Sequence, residues 1–132
     1  MKINQKRKKA MDELVSLLKE IHCYVDVIIV EGARDIKALK NFGCQAEIET
    51  LAHVGLGDYE LAEQIASRYN RVLILTDYDA EGICLNQKFS SIFEHKDVKI
   101  DKELRNRIRR LMTIIGVYAI ESLDNIKENL NV

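Results

Sequence analysis

The 132-residue sequence predicts an α/β fold, with a mostly parallel four-stranded sheet and helices on both of its faces. Short apolar runs of β-forming residues alternate along the chain with longer segments whose apolar residues keep helical spacing. Strands that alternate with helices in this way pair in parallel through right-handed crossovers. Two of the apolar runs also end in acidic residues, which indicates a ligand site beyond the carboxyl ends of the strands.

Each element is predicted from the spacing of its apolar residues. Segments with apolar residues every three or four positions predict helices, and short continuous apolar runs predict buried strands. In chain order, the predicted helices cover residues 8–22, 34–42, 59–69, 82–94, 102–115 and 120–130. The predicted strands cover residues 27–30, 46–50, 72–75 and 98–100.

Four residues mark the ends of predicted helices. Gly43 and Gly116 follow apolar-periodic segments, where a glycine in the left-handed conformation commonly ends a helix. Asp58 and Asp101 precede such segments, and we expect their carboxylates to cap the first turns. There is no proline, no repeat and no low-complexity segment to mark a linker, so residues 1–132 are expected to form a single domain.

The composition is that of a globular protein. Hydrophobic residues make up 47% of the chain and charged residues 31%, with a net charge of −1. No apolar run approaches the roughly 18 residues of a membrane helix, and the N-terminal segment does not resemble a signal peptide. We therefore expect a cytoplasmic protein with no membrane partner. The three cysteines lack metal-site spacing and are expected to be reduced and mostly buried: Cys23, Cys44 and Cys84.

Acidic residues follow two of the predicted strands. Asp77 and Asp79 come after the strand at 72–75, and residues two apart in an extended segment point the same way. Two carboxylates so close repel each other unless a cation lies between them, and oxygen ligands of this kind suit Mg²⁺ or Mn²⁺. Glu31 follows the strand at 27–30. If these two strands are neighbours, we expect the three acids to face one crevice.

The two acidic turns together resemble the Toprim domain, the catalytic fold shared by topoisomerases, bacterial primases and some small nucleases. The turns read EGARD at residues 31–35 and DYDAEG at residues 77–82, and their order and separation match the family's pattern. The resemblance covers roughly residues 25–100, a Rossmann-like core. The length of the chain, its basic first helix and the arginine-rich helix after its fourth strand are similar to those of small stand-alone archaeal proteins described as primase-like Toprim proteins.

The resemblance implies roles for three acids. Glu31 matches the glutamate that acts as general acid and base or as a ligand of one metal ion. Asp77 matches the first aspartate of the pair, expected to bridge toward both metal ions, and Asp79 matches the second, a ligand of one. The implied cofactor is one or two Mg²⁺ ions, for which Mn²⁺ would substitute.

Five further residues are candidates for outer metal-site positions or phosphate contacts. Asp35 matches the aspartate of the EGxxD motif, although it could equally cap the helix it begins. Gly32 and Gly82 match the turn glycines, which permit tight turns and a close approach of a phosphate backbone. Glu81 extends the match to the DxDxEG form, but complementing the dipole of the next helix is the favoured interpretation. Arg34 is a phosphate contact or a solvated helix residue.

Basic residues form two clusters in an otherwise neutral chain. They either contact nucleic-acid phosphates or lie on a frayed tail and a solvated helix face, and the sequence supports both interpretations equally. The arginines are expected opposite the apolar face of the helix at 102–115. The first cluster comprises Lys2, Lys6, Arg7, Lys8 and Lys9, and the second comprises Lys102, Arg105, Arg107, Arg109 and Arg110.

The resemblance implies a Mg²⁺-dependent protein acting on nucleic-acid phosphodiester bonds, by hydrolysis or nucleotidyl transfer, as a small nuclease or primase-like enzyme. Topoisomerase activity is not expected, because it needs a nucleophilic tyrosine from a separate domain. The five tyrosines are expected in or beside core elements. One alternative is a Toprim module that binds nucleic acid or protein without catalysis. A second is a phospho-receiver domain, although that would place its acid pair after the first strand, and Lys102 matches the receiver lysine only approximately.

Overall fold

We describe the protein from a computed structural model that covers residues 3–53 and 55–129, with side chains described for residues 4–53 and 55–126. Four strands form one parallel sheet in the order β2-β1-β3-β4. They are β1 (Val27–Val30), β2 (Glu47–Thr50), β3 (Arg71–Ile74) and β4 (Lys99–Ile100). The α/β prediction is confirmed, and β1 and β3 are neighbours, so their carboxyl ends lie side by side.

Within residues 3–53 and 55–129, six helices surround the sheet. They are α1 (Ile3–Glu20), α2 (Ala33–Asn41), α3 (Asp58–Arg68), α4 (Ala80–Glu94), α5 (Lys102–Ile115) and α6 (Leu123–Asn129). Short 3₁₀ turns at Ile21–Cys23 and Ile120–Ser122 follow α1 and precede α6. None of the helices in the described part of the chain is long and apolar enough to cross a membrane.

The sheet separates two apolar cores because its central strands are buried on both faces. In β1, Ile28 and Val30 belong to one core and Val27 and Ile29 to the other, as the alternation of side chains along a strand requires. The first core also contains residues of α1, α2, α5 and α6, whereas the second contains residues of α3 and α4. This layering explains the continuous apolar runs in the sequence.

Three of the four predicted helix ends are confirmed. Gly43 and Gly116 have φ values of 83° and 96°, and the Asp101 carboxylate accepts a hydrogen bond from the Leu104 N–H at 2.9 Å. The prediction for Asp58 is wrong, because Gly57 occupies the cap position and Asp58 is the first helical residue. Its carboxylate instead forms an ion pair with Lys88 of α4.

The first and last helices begin at different residues from those predicted. Helix α1 begins at Ile3 rather than at residue 8, so most of the first basic cluster is helical. At the other end, a 3₁₀ turn replaces the first residues of the predicted last helix. Lys2 and Leu130 lie outside the described residues.

The cysteines are free, but the expectation that they are mostly buried is wrong. Cys44 is buried, whereas Cys23 and Cys84 are exposed. Cys23 lies in the turn after α1, and Cys84 lies on the face of α4 opposite the buried residues Phe89 and Phe93. The tyrosines also differ in burial. Tyr78 is buried, whereas three tyrosines expose more than half of their surface: Tyr24, Tyr59 and Tyr118.

Candidate functional site

Glu31 and Asp77 meet at the carboxyl ends of β1 and β3. The main-chain N–H of Asp77 donates a hydrogen bond to Oε2 of Glu31 at 2.7 Å, and both residues are half-buried. The contact follows from the strand order, because each residue comes just after one of two adjacent parallel strands. The structure therefore brings together two of the three acids that the sequence placed at one crevice.

The carboxylate of Asp77 is also tied to the C-terminal part of the chain. Its Oδ1 accepts a hydrogen bond from the Ile120 N–H at 3.0 Å, at the start of the second 3₁₀ turn. Burial raises the pKa of Asp77, and repulsion from Asp79 and Glu121 raises it further. Glu121 is thus a fifth acid near the crevice, and no pattern in the sequence pointed to it.

Glu31 and Asp35 also have raised pKa values, and burial is the largest cause for each. Burial raises the pKa of Glu31, and repulsion from Asp77, Asp79 and Asp35 adds to the effect. Burial likewise raises the pKa of Asp35, which is only 6% exposed. Gly32 is the N-cap of α2, and Asp35 completes the cap as the third helical residue, because its Oδ2 accepts the Gly32 N–H at 3.1 Å. The expectation that Asp35 caps its helix is therefore confirmed in this form.

Asp79 and Gly82 organise the start of α4. Asp79 is the N-cap, and its Oδ1 accepts a hydrogen bond from the Gly82 N–H at 2.8 Å. A Cβ on Gly82 would lie 2.5 Å from the carbonyl carbon of Asp77 and 2.8 Å from its nitrogen. The close approach that requires glycine here is therefore to the main chain of Asp77. Gly32 differs, because its φ of −155° is extended and a Cβ there would meet nothing within 4 Å.

The donor set fits a hard divalent cation in its chemistry. Within the described residues, none of the five carboxylates near the crevice forms an ion pair, and their oxygen atoms are the ligands that Mg²⁺ prefers. As the side chains stand, no group of three acids, histidines or cysteines in the described part of the chain is arranged to hold a metal ion. Four carboxylates each direct one oxygen to a main-chain N–H: Glu31, Asp35, Asp77 and Asp79.

Other candidates lie on the surface. Arg34 and Glu81 are exposed in the first turns of α2 and α4, and neither forms an ion pair within the described residues. Lys102 forms an ion pair with Glu94 at 2.8 Å. In the first basic cluster, the Arg7 Nε donates to the Ile115 carbonyl at 2.8 Å and so ties α1 to the end of α5.

Arg105 was expected on the exposed face of its helix, and that expectation is wrong. Its side chain is 7% exposed and donates hydrogen bonds to main-chain carbonyls of the third strand and the acidic turn, including that of Asp77 at 3.3 Å. The signal was present in the sequence. Arg105 precedes Ile108 and Met112 by three and seven positions, which places it within the buried stripe of α5.

Comparisons with known proteins agree with this architecture. The Toprim domain family matches residues 26–111. A UPF0292 protein of Methanosarcina barkeri is 37% identical over 123 residues, which cover 93% of this chain and 84% of the relative. A UPF0292 protein of Thermococcus gammatolerans is 40% identical over 75% of this chain and 70% of its own. A solved structure from Aquifex aeolicus, 24% identical, has the same fold with a TM-score of 0.67 over 84% of this chain and 95% of that one.

Proposed function

The chain belongs to the UPF0292 family and carries a Toprim domain, and from this premise we propose that it acts on nucleic-acid phosphodiester bonds with the help of Mg²⁺. Toprim domains are associated with metal-dependent activity on nucleic acids. The reaction would be hydrolysis or nucleotidyl transfer, carried out in the cytoplasm on RNA or DNA. The observation that carries the proposal is the contact of Glu31 with Asp77 at the ends of adjacent strands.

The residues at this edge have the chemistry that phosphodiester reactions need. Glu31, Asp77 and Asp79 would hold one or two ions, which would neutralise charge on the phosphate and stabilise the leaving oxygen. Burial raises the pKa of Glu31, which suits a group that takes a proton and returns it. Helices α2 and α4 both begin beside these acids, and helix N-termini favour phosphate groups.

The test is cleavage of labelled single- and double-stranded RNA and DNA in the presence of Mg²⁺ or Mn²⁺. Asp77→Asn and Glu31→Gln remove the charge but keep an oxygen to accept the N–H of Ile120 or of Asp77. We expect metal-dependent cleavage by the wild-type protein and a loss of roughly 100-fold or more in each variant.

The matched controls change exposed acids elsewhere by the same chemistry. Asp12→Asn lies on α1 and Glu63→Gln on α3, and both residues are exposed. Both controls should cleave at the wild-type rate. Cleavage that survives in Asp77→Asn would come from a contaminant and would contradict the proposal.

One observation favours the alternative of a binding module without catalysis. As the side chains stand, no group of three acids in the described part of the chain is arranged to hold a metal ion. Each of four carboxylates also accepts a main-chain N–H. Nucleic-acid binding without turnover on any of the four substrates, in the presence of either metal, would support that alternative. A phospho-receiver is not supported, because the Toprim family matches residues 26–111 and the acid pair follows β3 rather than β1.

A further inference from the structure

The outer edge of β3 is only partly covered by its neighbouring strand. β4 pairs with Arg71 and Val72 alone, and the N–H of Asp101 then donates to the Val72 carbonyl at 2.9 Å. Alternate carbonyls of a strand point to the same edge, so those of Ile74 and Thr76 face this side beyond the point where β4 ends. Buried carbonyls need hydrogen-bond donors, and no main-chain N–H of β4 reaches these two.

Arg105 supplies the missing donors from α5. Its Nη1 donates to the carbonyls of Ile74 at 3.1 Å and Thr76 at 2.8 Å, and its Nη2 donates to the carbonyl of Asp77 at 3.3 Å. A planar guanidinium with several fixed donors can bind three carbonyls in this way, whereas an ammonium group has no such fork. The Arg105 side chain therefore supplies hydrogen bonds to carbonyls that a longer β4 could have bound.

Tyr78 holds the guanidinium in place. The Arg105 guanidinium carbon lies 4.4 Å from the centre of the Tyr78 ring, and the Tyr78 hydroxyl donates to the Arg105 carbonyl at 2.8 Å. In the described part of the chain, no carboxylate forms an ion pair with Arg105. Burial lowers the pKa of Arg105, while the charges of Asp77 and Glu31 act in the opposite direction. The buried positive charge thus lies close to the acids without neutralising any one of them directly.

We propose that Arg105 is a positioning residue of the candidate site, because it fixes the main chain from Ile74 to Asp77 and so places Asp77 against Glu31. The inference rests on the proposed function, since the placement of these carboxylates affects a cation only if one binds. Residues that orient metal ligands commonly change metal affinity by about 10- to 100-fold when they are removed. We expect a loss in that range from Arg105→Met, although Arg105 contacts none of the three candidate ligand carboxylates.

Two measurements on the full chain test this. The first is Mn²⁺ affinity by electron paramagnetic resonance, and the second is hydrogen exchange of individual amides by NMR. In Arg105→Met, exchange at the Asp77 amide, which donates to Glu31, should become about 10-fold faster through local opening. Exchange at the Leu51 amide, which donates to the Val30 carbonyl on the side of β1 away from β3, should not change. General destabilisation would accelerate both amides.

Arg107→Met is the matched control, because Arg107 is exposed on the same helix and its side chain has no hydrogen bond or ion pair within the described residues. It should leave both measurements unchanged. If Arg105→Met does not fold, the same two measurements on Arg105→Lys test the inference. Lysine keeps the positive charge but loses the fork of donors, so we expect the same losses. Added guanidinium ion should restore Mn²⁺ affinity to Arg105→Ala.

Equal exchange at Asp77 in the Arg105 and Arg107 variants, or unchanged Mn²⁺ affinity in a folded Arg105 variant, would overturn the inference. Failure of the proposed function would be recognised from the wild-type protein alone. If the wild-type protein binds no Mn²⁺, the metal-dependent reaction is refuted, while the exchange comparison still decides whether Arg105 positions the acidic turn.

Discussion

Gly82 is the described glycine at which an added side chain would have the least room. A Cβ at this position would press into the carbonyl group and nitrogen of Asp77, which are main-chain atoms that cannot rotate away. We expect Gly82→Ala to lower the free energy of unfolding by about 3 kcal/mol, at the upper end of the cost of overpacking. Urea denaturation followed by circular dichroism would measure the loss.

Gly32→Ala is the control for that substitution. Gly32 also begins a helix beside the acids, but its backbone is extended and a Cβ would meet nothing within 4 Å. The free energy of unfolding of Gly32→Ala should fall by only about 1 kcal/mol, the cost of a poorer N-cap residue. Similar losses in the two variants would mean that the contact between Gly82 and Asp77 is not what makes glycine necessary.

The raised pKa values of Glu31, Asp35 and Asp77 predict a dependence of stability on pH. Burial is the main cause in each case. A carboxyl group whose pKa is higher in the folded protein favours folding when protonated, and that contribution is lost as pH rises through the folded pKa. Asp26 acts in the opposite sense, because its hydrogen bonds with Arg71 lower its pKa.

Comparison of wild type with Asp77→Asn isolates the effect of the Asp77 carboxyl group on stability. In buffer without divalent cations, the melting temperature of Asp77→Asn should rise relative to wild type as pH increases from about 4 toward neutrality. Differential scanning calorimetry at several pH values measures the difference. A constant difference across this range would show that Asp77 titrates alike in the folded and unfolded states.

At the scale of single elements, two aspartates at helix starts should behave differently. Asp101 caps α5 through its bond to the Leu104 N–H, whereas Asp58 is already helical and pairs with Lys88 at the surface. Asp101→Ala should cost about 1 kcal/mol of unfolding free energy, and Asp58→Ala roughly half of that or less. Urea denaturation measures the free energy of unfolding of both variants. A larger loss from Asp58→Ala would contradict the conclusion that Asp101 is a helix cap and Asp58 is not.

The elements and the meeting of Glu31 with Asp77 could be predicted from the sequence, but the contacts of these acids with the C-terminal part of the chain could not. The apolar runs ending at Val30 and Leu75 are long enough to identify buried strands, and the glycines at 43 and 116 mark helix ends by their backbone conformation. The burial of Arg105 follows from its position in the buried stripe of α5, which outweighs the charge of its side chain. Glu121 could not be found, since it reaches the crevice only through a turn after five other helices.

At the scale of the whole molecule, a bound cation should stabilise the fold. A ligand that binds only the folded state adds about 1.4 kcal/mol at ten times its dissociation constant. Mg²⁺ should therefore raise the melting temperature of the wild-type protein, and the double variant Glu31→Gln, Asp77→Asn should show little change. Asp12→Asn with Glu63→Gln serves as the matched double control. Equal shifts in all three proteins would indicate nonspecific binding of Mg²⁺.

The acidic turn is completed by residues that come much later in the chain. Asp77 takes one hydrogen bond from Arg105 at its carbonyl and another from Ile120 at its carboxylate, 43 residues further on. During synthesis, a ribosome that has reached β4 has made every strand and neither of these donors. Because a domain folds as a unit, Asp77 can make its final contacts only after the residues up to Ile120 have been added to the chain.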